Sequence, residues 1–292
     1  MLNNDFELNN QGVSNANQTR DLARHRWYFY KEGFSPSLVK KAIEESNLSN
    51  TDIILDPFNG SGTVTLTAAT EGISSTGFEV NPFTSFLSQA KTHNLSKETF
   101  RKLANKTIYE CSKGKNSFLD NYSTFTENEG KGKNKWLFNQ DVLKAYSGGY
   151  QSLNGRRSQS NDLVNLGLIS AIMKNSNAKK DGKCLRYKNK WDKLGFNADS
   201  FINSFEEEVN IIAEDLDQKI VSQPLIKNGD SRVLIDKMES KFKLCITSPP
   251  YLNTFDYTDI YRPELFLGGF INSDAELRKL RHKTVRSHVQ VN

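Results

Sequence analysis

Cysteine is scarce. Three residues, Cys111, Cys184 and Cys245, stand far apart in a chain of 292. An odd number at that spacing forms neither a disulfide framework nor a zinc-ligand pattern, so a reducing cytoplasm is the expected setting and no metal site is expected. Long apolar runs are also missing. No stretch approaches the ~18 residues that a membrane-spanning helix needs, and the start, Met1-Leu2-Asn3-Asn4-Asp5, lacks the basic-then-apolar pattern of a secretory signal. No membrane partner is expected. Neither sign of charge dominates. Thirty-nine Lys and Arg against 34 Asp and Glu leave +5, which permits nucleic-acid binding without arguing strongly for it. Apolar residues make up 36% of the chain and mean hydropathy is −0.62, so the core is modest and the surface polar. The length suits one large domain or two small ones. Proline is scarce too, seven residues in all, yet two of them stand side by side.

That pair lies in Ser248-Pro249-Pro250-Tyr251. The preceding run, Lys243-Leu244-Cys245-Ile246, reads as a short buried strand. Two prolines cannot continue it, because each lacks an N–H and has its φ fixed. The backbone must leave the sheet there, exposing a hydroxyl, a free carbonyl and an aromatic ring at a carboxyl strand end. In open α/β sheets ligands bind at that end. A plain strand ending is the competing reading unless the chain also supplies a ligand site facing the turn.

Residues 1–20 are rich in Asn and Gln and read as a flexible lead-in. Arg24-His25-Arg26-Trp27-Tyr28-Phe29-Tyr30 mixes cations with rings. It fits either an extended segment packing its rings on the domain or a wall of a cofactor or nucleic-acid site. Ser35 before Pro36 is an N-cap with a first-turn proline, and the apolar spacing behind it predicts a helix from Ser35 to about Ser46. Ile53-Ile54-Leu55 reads as a central parallel strand. It leads into Asp56-Pro57-Phe58-Asn59-Gly60-Ser61-Gly62-Thr63, then a helix over Val64 to Thr70, a strand over Ser75 to Val80, and a helix from Asn81-Pro82 to about Lys91. This is the first half of a doubly wound nucleotide-type fold.

The loop narrows the ligand. Gly60 and Gly62 let backbone N–H groups approach closely, at the positive end of the following helix. Asp56 and Glu79 end neighbouring strands, and Glu79 lies near the ~20-residue spacing of a ribose-binding acid. A dinucleotide fits poorly, since Thr65 stands where a third glycine belongs and Asp56 would repel a pyrophosphate. A P-loop Gly-Lys-Ser/Thr is absent. Two acids around a Gly-rich turn suit a ribose diol joined to a cationic end, which favours S-adenosyl-L-methionine.

Residues 92–227 interrupt the alternation and read as a large, mainly helical insertion that recognises the substrate or covers the site. Within it, Ser112–Ser123 and Glu127–Lys135 read as loops, Lys135–Ala145 as a short helix and Ser147–Asn161 as a mobile loop. Asp162–Met173 reads as a helix, Asn177–Lys183 as a basic turn and Phe201–Ile220 as a long amphipathic helix. Arg156, Arg157, Lys179, Lys180, Lys183, Arg186, Tyr187 and Lys188 are candidates for phosphate contacts, with solvated surface charge the competing reading for each. Asn228 to Leu234 reads as a turn beside a strand, which puts Asp230 on the same carboxyl edge as Asp56 and Glu79.

Asp56-Pro-Phe-x-Gly-Ser-Gly-Thr63 and Ser248-Pro-Pro-Tyr251 together resemble the cofactor and catalytic motifs of the amino-methylating DNA methyltransferases, which act on N4 of cytosine or N6 of adenine. The resemblance implies an α/β, Rossmann-like methyltransferase sheet. It implies cofactor contacts at Phe34, Ser35, Asp56, Phe58, Gly60, Gly62, Thr63, Glu79, Val80 and Asp230, and catalytic roles for Ser248, Pro249, Pro250 and Tyr251. Serine at the head of the tetrad favours N4 of cytosine. A C5-cytosine route is disfavoured, since no proline is followed by cysteine. Double-stranded DNA is the implied substrate and a cognate restriction endonuclease a possible companion. The resulting division is 1–20 lead-in, 21–91 cofactor-binding half, 92–227 insertion and 228–292 catalytic-motif part. The resemblance also implies further strands after the catalytic motif, and residues 252–292 are too few to build them. The sheet is therefore expected to be incomplete at the C-terminus, through truncation or because a second polypeptide completes it.

Overall fold

The computed structural model describes residues 16–117, 119, 135–181, 184–249 and 257–284. In chain order the elements are α1 (Pro36–Glu45), β1 (Ile53–Asp56), α2 (Thr63–Thr70), β2 (Ser74–Glu79), α3 (Pro82–Lys91), α4 (Lys97–Lys113), α5 (Gln140–Ser152), α6 (Gln159–Lys174), β3 (Ala178–Asp181), β4 (Cys184–Tyr187), α7 (Ala198–Asp215), β5 (Leu225–Asn228), α8 (Ser231–Leu234), β6 (Leu244–Cys245), α9 (Tyr257–Ile260), α10 (Arg262–Leu267) and α11 (Asp274–Lys283). They cluster into two compact units. The described residues of the first are chiefly 16–94 and 218–249, and those of the second 95–217 and 257–282.

The first unit is built on one parallel sheet in the order β5-β2-β1-β6. The chain steps outward from β1 to β2 to β5, then returns to the far side of β1. The topological switch point thus lies between β1 and β6, where α/β sheets hold their ligands. The architecture is α/β and Rossmann-like. Local chemistry explains the helices. Ser35 caps α1 by accepting from Ser37 N–H at 3.2 Å, with Pro36 in the first turn, and Asn81 caps α3 by accepting from Phe83 N–H at 2.9 Å. Both pairings satisfy orphan donors that a helix start leaves free. α1 and α2 pack on the sheet through Val39, Ile43, Ile54, Val64 and Ala68, joined by Phe34, Leu48, Ile73, Leu244 and Ile246. Every residue of α2 from Thr63 to Ala69 is buried. Thr65 and Thr67 tolerate this because their hydroxyls donate to Asn59 Oδ1 at 2.9 Å and back to Thr63 O at 2.7 Å.

The second unit gathers α4, α5, α6 and α7 around buried residues that include Phe100, Tyr146, Leu168, Phe205 and Ile212. A two-stranded antiparallel ribbon, β3–β4, forms a sheet of its own. Helices α9–α11 belong to this unit rather than with the 228–292 segment in which the sequence pattern groups them. Tyr146 Oη donates to Leu267 O at 2.7 Å, and Lys180 pairs with the fully buried Glu264.

Several expectations are corrected. Residues 16–20 are not lead-in coil but a 3-10 turn with Ala16 and Thr19 buried, while residues 1–15 lie outside the described residues. α4 was not expected. The stretch around Ser147 is not a mobile loop, for α5 runs on to Ser152 and carries Ser147, Gly148 and Gly149 buried inside it. Asn177–Lys183 is not a simple turn, since its described part enters the ribbon. β6 is not a buried strand: it is two residues long at the edge of the described sheet, with Cys245 exposed. No helix among the described residues is long and apolar enough to cross a membrane.

Gly148 shows why the α5 glycines survive inside a helix. A Cβ there would meet Glu110 O of α4 at 2.3 Å, and one on Gly149 would meet Cys111 Sγ at 2.5 Å. Gly148→Ala gains about 1 kcal/mol in helix propensity, yet it forces two backbones apart at an overpacking cost of about 1–3 kcal/mol. A lowered melting temperature is expected by calorimetry. A raised one would contradict the close crossing of α4 and α5.

Candidate active site

Asp56 ends β1 at the switch point and is 1% exposed. Its Oδ1 accepts from Thr247 Oγ1 at 2.7 Å and from Phe58 N–H at 3.1 Å. Its Oδ2 is buried with no hydrogen-bond partner among the described residues. Burial raises the Asp56 carboxyl to about 7. The Thr247 and Phe58 bonds oppose the rise and the Glu79 charge adds to it. Thr247 immediately precedes Ser248, so this bond joins the acid of the Gly-rich loop to the Pro-Pro turn.

The loop after Asp56 is held from several sides. Asn59 N–H donates to Phe78 O at 2.9 Å, and Gly62 N–H to Asn59 O at 2.8 Å. Thr65, standing where a dinucleotide loop has glycine, is buried and donates its hydroxyl to Asn59 Oδ1 at 2.9 Å. Gly62 caps α2 with φ 85°, and a Cβ there would meet Ser88 Cβ at 2.7 Å, so both conformation and space require glycine. Gly60 N–H, expected to approach a ligand, donates to Glu79 Oε2 at 2.8 Å. Glu79 Oε1 accepts from Asn81 N–H at 2.7 Å. Burial raises the Glu79 pKa, and these backbone donors oppose the rise.

The aromatic segment reaches the same loop. A Cβ on Gly60 would lie 3.4 Å from Tyr30 Cε1, and one on Gly33 would lie 3.6 Å from Thr63 Oγ1. Both readings of this segment have support. Trp27 is fully buried, and buried Arg24 bonds Lys91 O and His93 O at 2.9 and 2.8 Å, while Tyr30 lies over the loop.

The remaining predicted residues are placed less uniformly. Phe34 is half-buried and packs on the α1–α2 cluster, and Ser35 uses its hydroxyl on the α1 cap and on Gln18. Phe58 is half-buried, and Thr63 sits buried in the first turn of α2. Val80 follows β2 and its carbonyl accepts from Asn228 Nδ2 at 3.2 Å. Asp230 lies just beyond β5, next to β2. It caps α8 through Arg232 N–H at 2.9 Å and pairs with the Arg232 guanidinium at 2.6 Å. The Arg232 side-chain bond is the main cause holding the Asp230 carboxyl below its usual range. Ser248 is half-buried and Pro249 exposed, whereas Pro250 and Tyr251 lie outside the described residues. Sequence reasoning missed Thr247, Asn59, Asn228 and the specific place of Tyr30. Thr247 could have been singled out as the hydroxyl next to Ser248. The others needed the sheet register.

Folded Asp56 titrates near 7, against roughly 4 for an unfolded aspartate. The folded state therefore holds its proton more tightly. The stabilisation is full below the unfolded value and is lost as pH rises through about 7. The stability of the ligand-free chain, measured relative to Asp56→Asn, should fall as pH climbs from roughly 4 to about 7 by about 1.4 kcal/mol per pH unit, while buried His25, lowered to about 3, contributes the opposite slope in both proteins. Asp56→Asn removes that component, so identical pH slopes in the two proteins would refute it.

A family model described as DNA methylase matches residues 4–90. The type II methyltransferase M.BsoBI of Geobacillus stearothermophilus is 31% identical over 310 residues, covering 94% of this chain and 58% of that protein. The type II methyltransferase M.AvaI of a Nostoc species is 26% identical over 292 residues, covering 88% of this chain and 56% of that protein. A shorter match, 33% identical over 86 residues, covers 29% of this chain and 19% of the type II methyltransferase M.MvaI of Kocuria varians. The chain spans a little over half the length of the first two relatives. No solved structure matches it. With the loop and the Pro-Pro turn joined at one switch point, the chain is similar to type II DNA methyltransferases, and its residues 4–90 match the DNA methylase family model.

Proposed function

We propose that the chain is the methyl-transferring part of a DNA modification enzyme that uses S-adenosylmethionine to methylate N4 of cytosine in double-stranded DNA, as the companion of a restriction endonuclease. The observation that carries this reading is the Thr247–Asp56 hydrogen bond, which links the acid of the Gly-rich loop to the Ser248-Pro249 turn. The residues present fit the cofactor. Asp56 Oδ2, a buried acceptor with no partner among the described residues, suits a cationic group, and half-buried Glu79 at the end of β2 suits a ribose diol. Val80 would flank the adenine, and Asp230 would meet its amine once Arg232 swings aside. Phe34, Ser35, Phe58 and Thr63 would complete the wall around Gly60 and Gly62. When bound, the sulfonium supplies an activated methyl group.

The protein's own work is on the amine. An exocyclic base amine is a weak nucleophile because its lone pair is delocalised into the ring. Ser248 Oγ and the Pro249 carbonyl would accept its N–H bonds, localise the lone pair and draw the nitrogen toward tetrahedral geometry. Tyr251 would stack on a base flipped from the duplex. Holding amine and methyl in line then supplies much of the acceleration. Serine at the head of the tetrad favours cytosine over adenine.

Beyond the site, β6 is the edge of the described sheet, with Cys245 exposed, and the relatives are longer than this chain. Both observations support a further polypeptide segment adding to β6.

Two experiments check this reading. Nucleoside analysis of DNA treated with the chain, alone and supplemented with the relatives' remaining segment, should yield N4-methylcytosine. N6-methyladenine would move the assignment to adenine, and no methylated base in either mixture would overturn it. In that assay Ser248→Ala should lower kcat by about a hundredfold or more, the usual loss on removing one polar group that acts on the reacting centre, and leave cofactor binding intact. Second, ionised Asp56 is the form that attracts a cation. Cofactor affinity measured by calorimetry should rise with pH through about 7 in the wild type. In Asp56→Asn it should be weak and flat, and a parallel rise in that variant would remove Asp56 from the site.

A further inference from the structure

The β3–β4 ribbon divides its residues by face. Antiparallel register sets Ala178 opposite Tyr187 and Lys180 opposite Leu185, and it sets Lys179 opposite Arg186 and Asp181 opposite Cys184. Side chains alternate along a strand, so these pairs fall on two faces. The first face is anchored. Ala178 is buried, Leu185 and Tyr187 are half-buried, and Lys180 pairs with buried Glu264 while lying 3.7 Å from the Tyr261 ring centroid. The second face is open: Lys179, Cys184 and Arg186 are exposed.

That open face is cationic. The described residues between 179 and 193 carry six Lys and Arg against two acids, Asp181 and Asp192. Like charges directly opposite each other across a ribbon are destabilising. Asp181 offsets one of them through a 2.8 Å contact with Arg186, whereas Lys179 makes no ion pair among the described residues. The Lys179 charge is close enough to Lys188 to push its ammonium down further, after the larger effect of burial. Lys190 and Lys193 continue the exposed row. The turn bearing them is stiffened by Trp191, edge-on to Trp136 at 4.6 Å and to Tyr187 at 5.3 Å. An isolated two-stranded ribbon is marginal in water, so its inner-face anchors are what hold these cations in fixed positions.

We propose that the outward face of β3–β4, with Lys179 and Arg186 at its centre and Lys190 and Lys193 beside it, is a docking surface for duplex DNA. The ribbon enters the major groove and its cations contact the phosphate backbone. This rests on the reading of the chain as a DNA methyltransferase and names a surface through which it holds its substrate. The major groove of B-form DNA is wide enough for a two-stranded ribbon, whereas the A-form groove of duplex RNA is deep and too narrow. Phosphates would also offset the Lys179–Arg186 repulsion that the free protein carries.

The test is equilibrium binding of the full chain to a labelled duplex of about 30 base pairs, followed by anisotropy at stepped salt. Each phosphate contact contributes ~0.9 to the slope of log affinity against log salt. The double variant Lys179→Gln/Arg186→Gln should lower that slope by about 1–2 and weaken binding. The control Lys106→Gln, an exposed cation of α4, should leave both unchanged. All three proteins should bind S-adenosylmethionine equally, which separates this surface from the candidate active site. A wild-type slope retained in the double variant overturns the proposal, as does tighter binding to duplex RNA. If the wild type takes up cofactor but no DNA, the docking surface fails while the methyltransferase reading stands. If it binds neither, both fall.

Discussion

The hydrogen bond from Thr247 to Asp56 spans 191 residues of sequence at 2.7 Å, and the candidate site depends on it. Asp56 is placed by β1, and Thr247 by a β6 that pairs with β1 at only Ile54↔Leu244 and Leu55↔Cys245, extended by Lys243 N–H to Ile53 O and Ile246 N–H to Leu55 O. Closing so long a loop carries an entropic cost that rises slowly with length. A strand this short offsets little of that cost through its own ladder. Packing of Leu244 and Ile246 on the α1–α2 cluster adds apolar burial to the same junction. The side-chain bond then fixes the registration of the Pro-Pro turn against the loop.

Several groups at the site serve fold and chemistry together. Glu79 accepts from both Gly60 and Asn81 N–H, so the acid at the end of β2 shapes the loop it faces. Asn59 ties the loop to β2 through Phe78 O and to α2 through Thr65. Such a loop loses little freedom when a ligand arrives, and pre-organisation of this kind lowers the cost of binding. Asp56 is the exception. It is buried with one oxygen lacking a partner among the described residues, an arrangement that costs stability unless the group is protonated or meets a cation. A strained or under-satisfied group at a functional site is a familiar compromise between stability and activity.

The first unit was legible because its signals are local. Ser35-Pro36 and Asn81-Pro82 mark helix starts within a few residues of the apolar positions they introduce. Asp56, Gly60, Gly62 and Glu79 fall at strand ends fixed by the same pattern. What escaped depends on distant partners. Ser147-Gly148-Gly149 has the composition of a loop, and only the crossing of α4 against α5 makes it helix. The 24–30 segment gave no way to choose between ring packing and a site wall, because Arg24 is placed by the carbonyls of Lys91 and His93. Asp230 stood correctly at a strand end, yet its engagement by Arg232 two residues on was not visible in the pattern. β6 read as buried because its residues are apolar, and burial there depends on what lies beyond the sheet edge rather than on the strand.

The ribbon of the second unit illustrates how a buried ion pair can set orientation rather than stability. Lys180 and Glu264 meet in the interior, where desolvating two charges offsets much of their attraction. Apolar residues of similar size would hold the ribbon at least as firmly. What the pair adds is register. A slip of one residue in β3 would exchange its two faces: depending on its direction it would bring Lys179 or Asp181 to the place beside Glu264, and it would carry Ala178 out of its buried position. With Asp181 there, two carboxylates would meet in the interior, where like charges disfavour each other's ionised form. Lys179 and Arg186 therefore face outward because Ala178, Leu185 and the Lys180–Glu264 pair fix the register from the inner side.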